Sequence, residues 1–174
     1  FDGAHVLGLI ATGEFQDPLR EGAEVLFGST HKSLYGPQGG IILTNSKEAD
    51  AQMRSFLDVD VETGIGLVDN PHMNRIAALG IALEELSKDR GYGTQVIKNA
   101  KALARALDEQ GIPVRFGDRG YTESHQILLN IKEARAVELC HRMEKAGIFC
   151  DEGGRLGTAE VTHFGAFPHI RCGT

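Results

Sequence analysis

Read by the spacing of its apolar residues, the chain opens with short β-rich runs, continues in helical stripes and changes character past its middle. "FDGAHVLGLIA" at 1–11 reads as the end of a strand followed by a short apolar helical turn. "EVLFGS" (24–29) and "GGIILTN" (39–45) are apolar, β-rich runs bounded by glycine and proline, the pattern of buried strands. A polar helix over 47–57 follows, and "ETGIGLVDNPH" at 62–72 reads as a loop because it is dense in turn-forming residues. In 73–88, Ile76, Leu79, Leu83 and Leu86 recur at helical spacing. Val96, Ala100, Leu103 and Leu107 do the same in 94–110, with Gly111 as the stop. The turn "KDRGYG" between them allows two helices or one bent helix.

Beyond Gly111 the pattern is strand, strand, helix, strand. "IPVRFG" and "HQILLNI" (125–131) read as strands, and "ARAVELCHRMEKAG" (134–147) as a helix burying Val137, Cys140 and Met143. "GRLGTAEV" ends in a further short strand. Such a run suits a small α+β unit beside a larger α/β layer. The change falls between 90 and 111, and the expected division is 1–100 and 101–174.

Composition narrows the class. A chain of 174 residues with ordinary apolar and charged fractions can bury a core. Its formal net charge of -6 argues against non-specific nucleic-acid binding, which needs a basic face. No apolar run has the length of a membrane span, so no membrane partner is expected. Cys140, Cys150 and Cys172 are an odd number without metal-ligand spacing, which points to reduced thiols in a cytoplasmic protein and to no metal. The start inside an apolar segment at Phe1, and the stop at "PHIRCGT", suggest a piece of a longer protein.

Three stretches can carry chemistry. "GSTHKSLYGPQGG" (28–40) sets Lys32 beside His31, with hydroxyls at Ser29 and Thr30 and glycines beyond. An imine-forming lysine needs such confinement, because its amine must lose a proton cheaply and be held still. The hydroxyls suit a phosphate and the imidazole suits stacking or proton transfer; a solvated loop lysine is the plainer reading of Lys32 alone. Asp2 ends an apolar strand, where an unpaired carboxylate is expensive, and an acid so placed can keep a pyridinium nitrogen protonated. His5 lies about one helical turn further on; a capping acid and a core histidine are the plainer readings of these two. In "GGRLGT" (153–158) Arg155 sits among glycines, with room for its fork to take a carboxylate at two points.

An acid after a strand, a lysine about one βαβ unit later and an arginine in a following small domain form the constellation of fold-type-I pyridoxal phosphate enzymes. "DGAHVLGLIA", "GSTHKSLYGPQGGIIL", "NPHMNRIAALGIALEEL" and "GRLGTAEVTHFG" resemble serine hydroxymethyltransferase in the same order, up to about Gly165. The resemblance implies an α/β fold: part of the large aspartate-aminotransferase-type domain that binds pyridoxal 5'-phosphate, followed by a small α+β C-terminal domain. It implies that Lys32 holds the cofactor as an imine and that Asp2 pairs with its ring nitrogen. His5 matches the histidine near the cofactor's phenolic oxygen, and His31 the one that helps bind phosphate. Ser29 and Thr30 fall where the family keeps hydroxyls beside the lysine, and Arg155 matches the arginine that grips the substrate carboxylate. The implied reaction interconverts serine and glycine, with tetrahydrofolate as co-substrate, in a homodimer or higher homo-oligomer.

The chain also departs from the family. Gln38 stands in "GPQGG" where many members have arginine, and "VDNPH" (68–72) replaces a Gln-Gly-Gly-Pro loop that serves a neighbouring subunit's phosphate. His72 or Asn70 is the candidate to bond that phosphate instead. The segment before "RLGT" is cut to "FCDEGG", and "AFPHIRCGT" does not follow the family. The family's first half, with its ring-stacking histidine, folate segments and proton-transfer glutamate, has no counterpart here. A threonine aldolase or transaldolase, or an α-methylserine hydroxymethyltransferase, would need the same lysine, acid and arginine. A fragment serving only subunit association is the alternative outside catalysis.

Overall fold

A computed structural model describes residues 1–60, 62–64, 66–68 and 70–165, with only the backbone of Glu133. Ile65 and Asp69 of the 62–72 loop, and the "AFPHIRCGT" tail with Cys172, lie outside the described residues. The chain divides into two compact units, Phe1–Arg90 and Gly91–Thr174.

In the first unit, residues 1–3 run parallel to β1 (Val25–Ser29): Phe27 N donates to Phe1 O at 3.1 Å and Gly3 N to Phe27 O at 2.8 Å. On the other edge of β1, β2 (Gly40–Thr44) pairs antiparallel, with Phe27 opposite Ile42. Helix α1 (Leu7–Ala11) lies on the crossover between the two parallel segments. Parallel neighbours end at the same edge of a sheet. The turn after Asp2 and the loop after Ser29 therefore emerge side by side, where open α/β sheets place their ligands. Leu7 and Leu9 of α1, Leu26 of β1 and Leu34 form the buried apolar residues beneath that edge.

Helix α2 (Lys47–Leu57) starts at Ser46, whose hydroxyl accepts the Ala49 N–H at 3.1 Å, and Arg54 grips Asp50 on its outer face. Helix α3 (Met73–Lys88) carries the expected apolar stripe, but only Ala82 and Leu86 are buried, while Ile76 is 53% exposed.

The second unit opens with α4 (Tyr92–Glu109), so α3 and α4 are two helices rather than one bent one. The expected boundary at 100/101 falls within α4, which belongs as a whole to this unit. β3 (Gln126–Leu128) pairs antiparallel with β4 (Arg155–Gly157), and Ile127 of β3 packs with Ala100 and Ala104 of α4. "IPVRFG" makes a single antiparallel bridge, Val114 to Leu129, instead of a full strand. Helix α5 (Glu133–Lys145) buries Ala136, with Val137, Cys140 and Met143 half-buried.

"GRLGTAEV" does not end in a strand. β4 stops at Gly157, and α6 (Ala159–His163) begins at once. Thr158 makes the switch: fully buried, it donates through its hydroxyl to Val96 O at 3.0 Å, and its carbonyl accepts the Thr162 N–H. Asn99 Nδ2 donates to Thr162 Oγ1 at 2.8 Å, which fixes α6 on α4. Among the described residues, no helix is long and apolar enough to cross a membrane.

Candidate functional site

Lys32 stands on a loop closed at its neck by Thr30. Thr30 N donates to Gly39 O at 3.0 Å, its hydroxyl to Pro37 O at 2.6 Å, and its carbonyl accepts Gly36 N at 2.7 Å. A residue only 1% exposed thus holds both ends of the 30–39 loop. The loop is also pressed onto α1. Ser33 Oγ accepts the Gly8 N–H at 3.1 Å, and a Cβ on Gly8 would lie 2.1 Å from Ser33 O. On another side a Cβ at Gly36 would meet Leu79 of α3 at 3.1 Å. Tyr35, at a φ of 50°, donates its N–H to Lys32 O at 3.0 Å. Its phenol is pushed up by burial and then by Asp89 and Glu85. The backbone around Lys32 is therefore fixed while its side chain is exposed.

Asp2 begins the neighbouring turn. Its Oδ1 accepts the Ala4 N–H at 2.9 Å, a side-chain turn typical of aspartate, and the carboxylate stays open to solvent. Ser29 Oγ donates to Ala4 O at 3.1 Å, so the end of β1 is tied to that turn. Gly28 permits the approach, since a Cβ there would fall 2.8 Å from Ala4 N. His5 follows directly and is exposed. Gly39 N donates to His31 Nδ1 at 3.4 Å; a neutral ring holding that bond carries its proton on Nε2.

The structure thus brings Asp2, Ser29, Thr30, His31 and Lys32 to one edge of the first unit, with His5 on the adjoining turn. Two hydroxyls face differently from their sequence expectation: Ser29 and Thr30 both give their protons to backbone carbonyls. His72 heads α3, its carbonyl accepting Arg75 N and Ile76 N, and its side chain does not cap the helix.

Arg155 belongs to the second unit, on β4 opposite Leu128. Its fork is held by Asp151, Nε to Oδ1 at 3.1 Å and Nη2 to Oδ2 at 2.7 Å. Asp151 Oδ1 also accepts the Gly153 N–H at 2.8 Å, which orients the carboxylate. The hydrogen bond to Asp151, and then that carboxylate's charge, raise the proton affinity of the guanidinium further. Asp151 was not among the sequence candidates, although an acid four residues before an arginine across two glycines is a legible signal. In the same motif Leu156 packs on the core and Thr158 joins helix to sheet, so only Arg155 faces outward.

A cavity of about 570 Å³ lies elsewhere in the first unit, between the sheet and α2. Phe27, Ile42, Met53, Leu57 and Val68 line it together with Gly28, while Asp2, His5, Ser29, Thr30, His31, Lys32 and Arg155 do not.

Comparison with known proteins adds lineage to this geometry. Residues 1–160 match the family model described as Serine hydroxymethyltransferase. The serine hydroxymethyltransferase of Methanocaldococcus jannaschii is 45% identical over 95% of this chain and 42% of its own length. That of Methanopyrus kandleri is 44% identical over 95% of this chain and 41% of its own. The crystal structure of L-threonine transaldolase from Pseudomonas fluorescens in its internal aldimine state superposes with a TM-score of 0.78 and 30% identity, over 96% of this chain and 40% of that one. The chain thus spans about two fifths of the length of the relatives it matches. The α/β architecture expected from the sequence, that of a fold-type-I enzyme, is the one found.

Proposed function

Because the chain belongs to the serine hydroxymethyltransferase family, we propose that the complete protein interconverts serine and glycine with pyridoxal 5'-phosphate, passing the one-carbon unit to tetrahydrofolate. The observation that carries this reading is the edge where Lys32, on a loop closed by Thr30, meets the Asp2 turn through the Ser29–Ala4 bond.

The donor set fits the cofactor. Lys32 offers an amine on a fixed backbone, which is what covalent capture of an aldehyde requires. Asp2 offers a carboxylate at the end of a strand for a ring nitrogen, and His31 an Nε2–H for a phosphate oxygen. Thr30 is a positioning residue, since its hydroxyl is spent on Pro37 O. Ser29 would have to release Ala4 O before donating to phosphate. When bound, pyridoxal phosphate supplies an electron sink that stabilises negative charge at the substrate's α-carbon. Asp2 keeps a proton on the ring nitrogen, and His5 adjusts the ring's oxygen substituent from the adjoining turn.

Arg155 holds the substrate carboxylate through its fork, taking the place that Asp151 occupies now. Substrate binding is an exchange of one carboxylate for another. His72 or Asn70 serves the phosphate of a second subunit, which makes the working protein at least a dimer. The cytoplasm is the compartment we assign, on the reduced-thiol reading of the cysteines.

A second reading has one observation in its favour: the solved structure reported above is an L-threonine transaldolase. Glycine formation from serine by the full-length protein, with and without tetrahydrofolate, separates the two. Folate-dependent turnover supports the hydroxymethyltransferase. Folate-independent transfer from threonine to an added aldehyde favours the transaldolase.

A further inference from the structure

Cys140 and Cys150 meet although ten residues separate them. α5 ends in a reversal at Gly147, whose φ is 78°. There Ile148 N donates to Met143 O and Gly147 N to Glu144 O, both at 2.9 Å. The reversal brings Cys150 back against the helix. Its Sγ lies 3.5 Å from Cys140 Sγ and 3.8 Å from Met143 Sδ, and Cys140 Sγ lies 3.0 Å from Cys150 O. Cys140 and Met143 are three residues apart on α5 and share a face. All three side chains are half-buried.

We propose that Cys140, Met143 and Cys150 form a binding site for a soft, thiophilic cation of the copper(I) type. Two thiolates and a thioether are the donors such an ion selects over harder metals. A metal about 2.3 Å from each of three sulfurs sets sulfur–sulfur edges of about 3.8–4.0 Å. The two separations from Cys150 Sγ need to open by at most a few tenths of an ångström. A disulfide would instead need the two thiols to close to about 2.0 Å and would leave the thioether without a role. Among the described residues no three His, Cys, Asp or Glu side chains group as metal ligands, so it is the thioether that completes the set. Each thiol releases its proton to solvent as a metal–sulfur bond forms, and no electron changes hands. Cys150 directly precedes Asp151, so a bound ion would also hold the loop that carries Arg155's partner.

The test is an anaerobic copper(I) titration of the reduced chain against bicinchoninate, in a Cys172→Ser background, with far-UV circular dichroism to verify folding. The expected result is one copper(I) per chain, weakened about 100-fold by Cys140→Ser or Cys150→Ser and about 10-fold by Met143→Leu. Met143→Leu keeps volume and apolarity, so it reads the sulfur even if a cysteine variant unfolds. Binding unmoved by all three substitutions overturns the proposal. So does failure to compete with bicinchoninate, including the case where the isolated protein carries a Cys140–Cys150 disulfide and, once reduced, takes no copper.

Discussion

Gly8 and Ser33 are in close contact: Gly8 N donates to the Ser33 side-chain Oγ at 3.1 Å, and a Cβ on Gly8 would stand 2.1 Å from the backbone Ser33 O. Twenty-five residues apart in sequence, they join α1 to the loop that displays Lys32. The distance from the Asp2 turn to Lys32 depends on this contact as well as on the sheet.

Gly8→Ala therefore forces α1 and the loop apart. It is expected to cost about 1–3 kcal/mol, the usual range for overpacking. Gly80→Ala is the contrast, because nothing lies within 4 Å of a Cβ there and the position is inside α3. It should raise stability by about 0.5–1 kcal/mol. Urea denaturation of both variants checks the pair, and equal effects would mean that the Gly8 contact is not tight.

Thr30→Val keeps shape and removes the hydroxyl that closes the lysine loop. Pro37 O is then left without its partner, at an expected cost of about 1–3 kcal/mol. Ser29→Ala breaks a half-buried bond to Ala4 O and should cost less, about 0.5–1.5 kcal/mol. Denaturation midpoints order the two, and a larger loss at Ser29 would contradict the neck role given to Thr30.

Asp151→Asn removes the charge that competes for Arg155 while keeping an oxygen for Gly153 N. In the full-length protein the KM for the amino acid should fall several-fold, with kcat little changed, since ground-state competition is what is relieved. Steady-state kinetics at saturating cofactor check this, and an unchanged or raised KM would mean that Asp151 orients Arg155 instead of blocking it.

How much of this could be read beforehand depends on how local the cause was. Lys32, Asp2 and the strands beside them were legible because glycines, prolines and apolar runs punctuate them in short order. The Thr158 switch was not, because the turn from strand to helix is set by a hydroxyl bond to Val96, 62 residues away. Asp151 was overlooked because Arg155 was read as open, when its partner lies on the same short loop. For β1 and β2 the strands were read correctly and their burial was not: Phe27, Ile42 and Leu43 remain exposed, as do Ile76 and Leu83 on the apolar stripe of α3. Periodicity reports a face, not what covers it.

Burial, and then the hydrogen bond to Cys140, push the Cys150 thiol from 9.0 up to about 11. A raised value favours the neutral thiol in the folded chain. The stability it contributes is present below about pH 9 and is lost as pH rises toward 11. Alkylation followed by peptide mass should show the Cys150 rate still climbing near pH 11 in the folded chain but levelling near pH 9 in urea. Coincident profiles would contradict the packed thiol pair.

The account turns on Lys32 being the amine that holds the cofactor. The most direct measurement is peptide mass mapping of the full-length protein after incubation with pyridoxal phosphate and borohydride reduction. A single reduced adduct on Lys32, absent from Lys32→Arg and not moved to another lysine, is the predicted result. An adduct spread over several lysines, or seated on a different one, would contradict it.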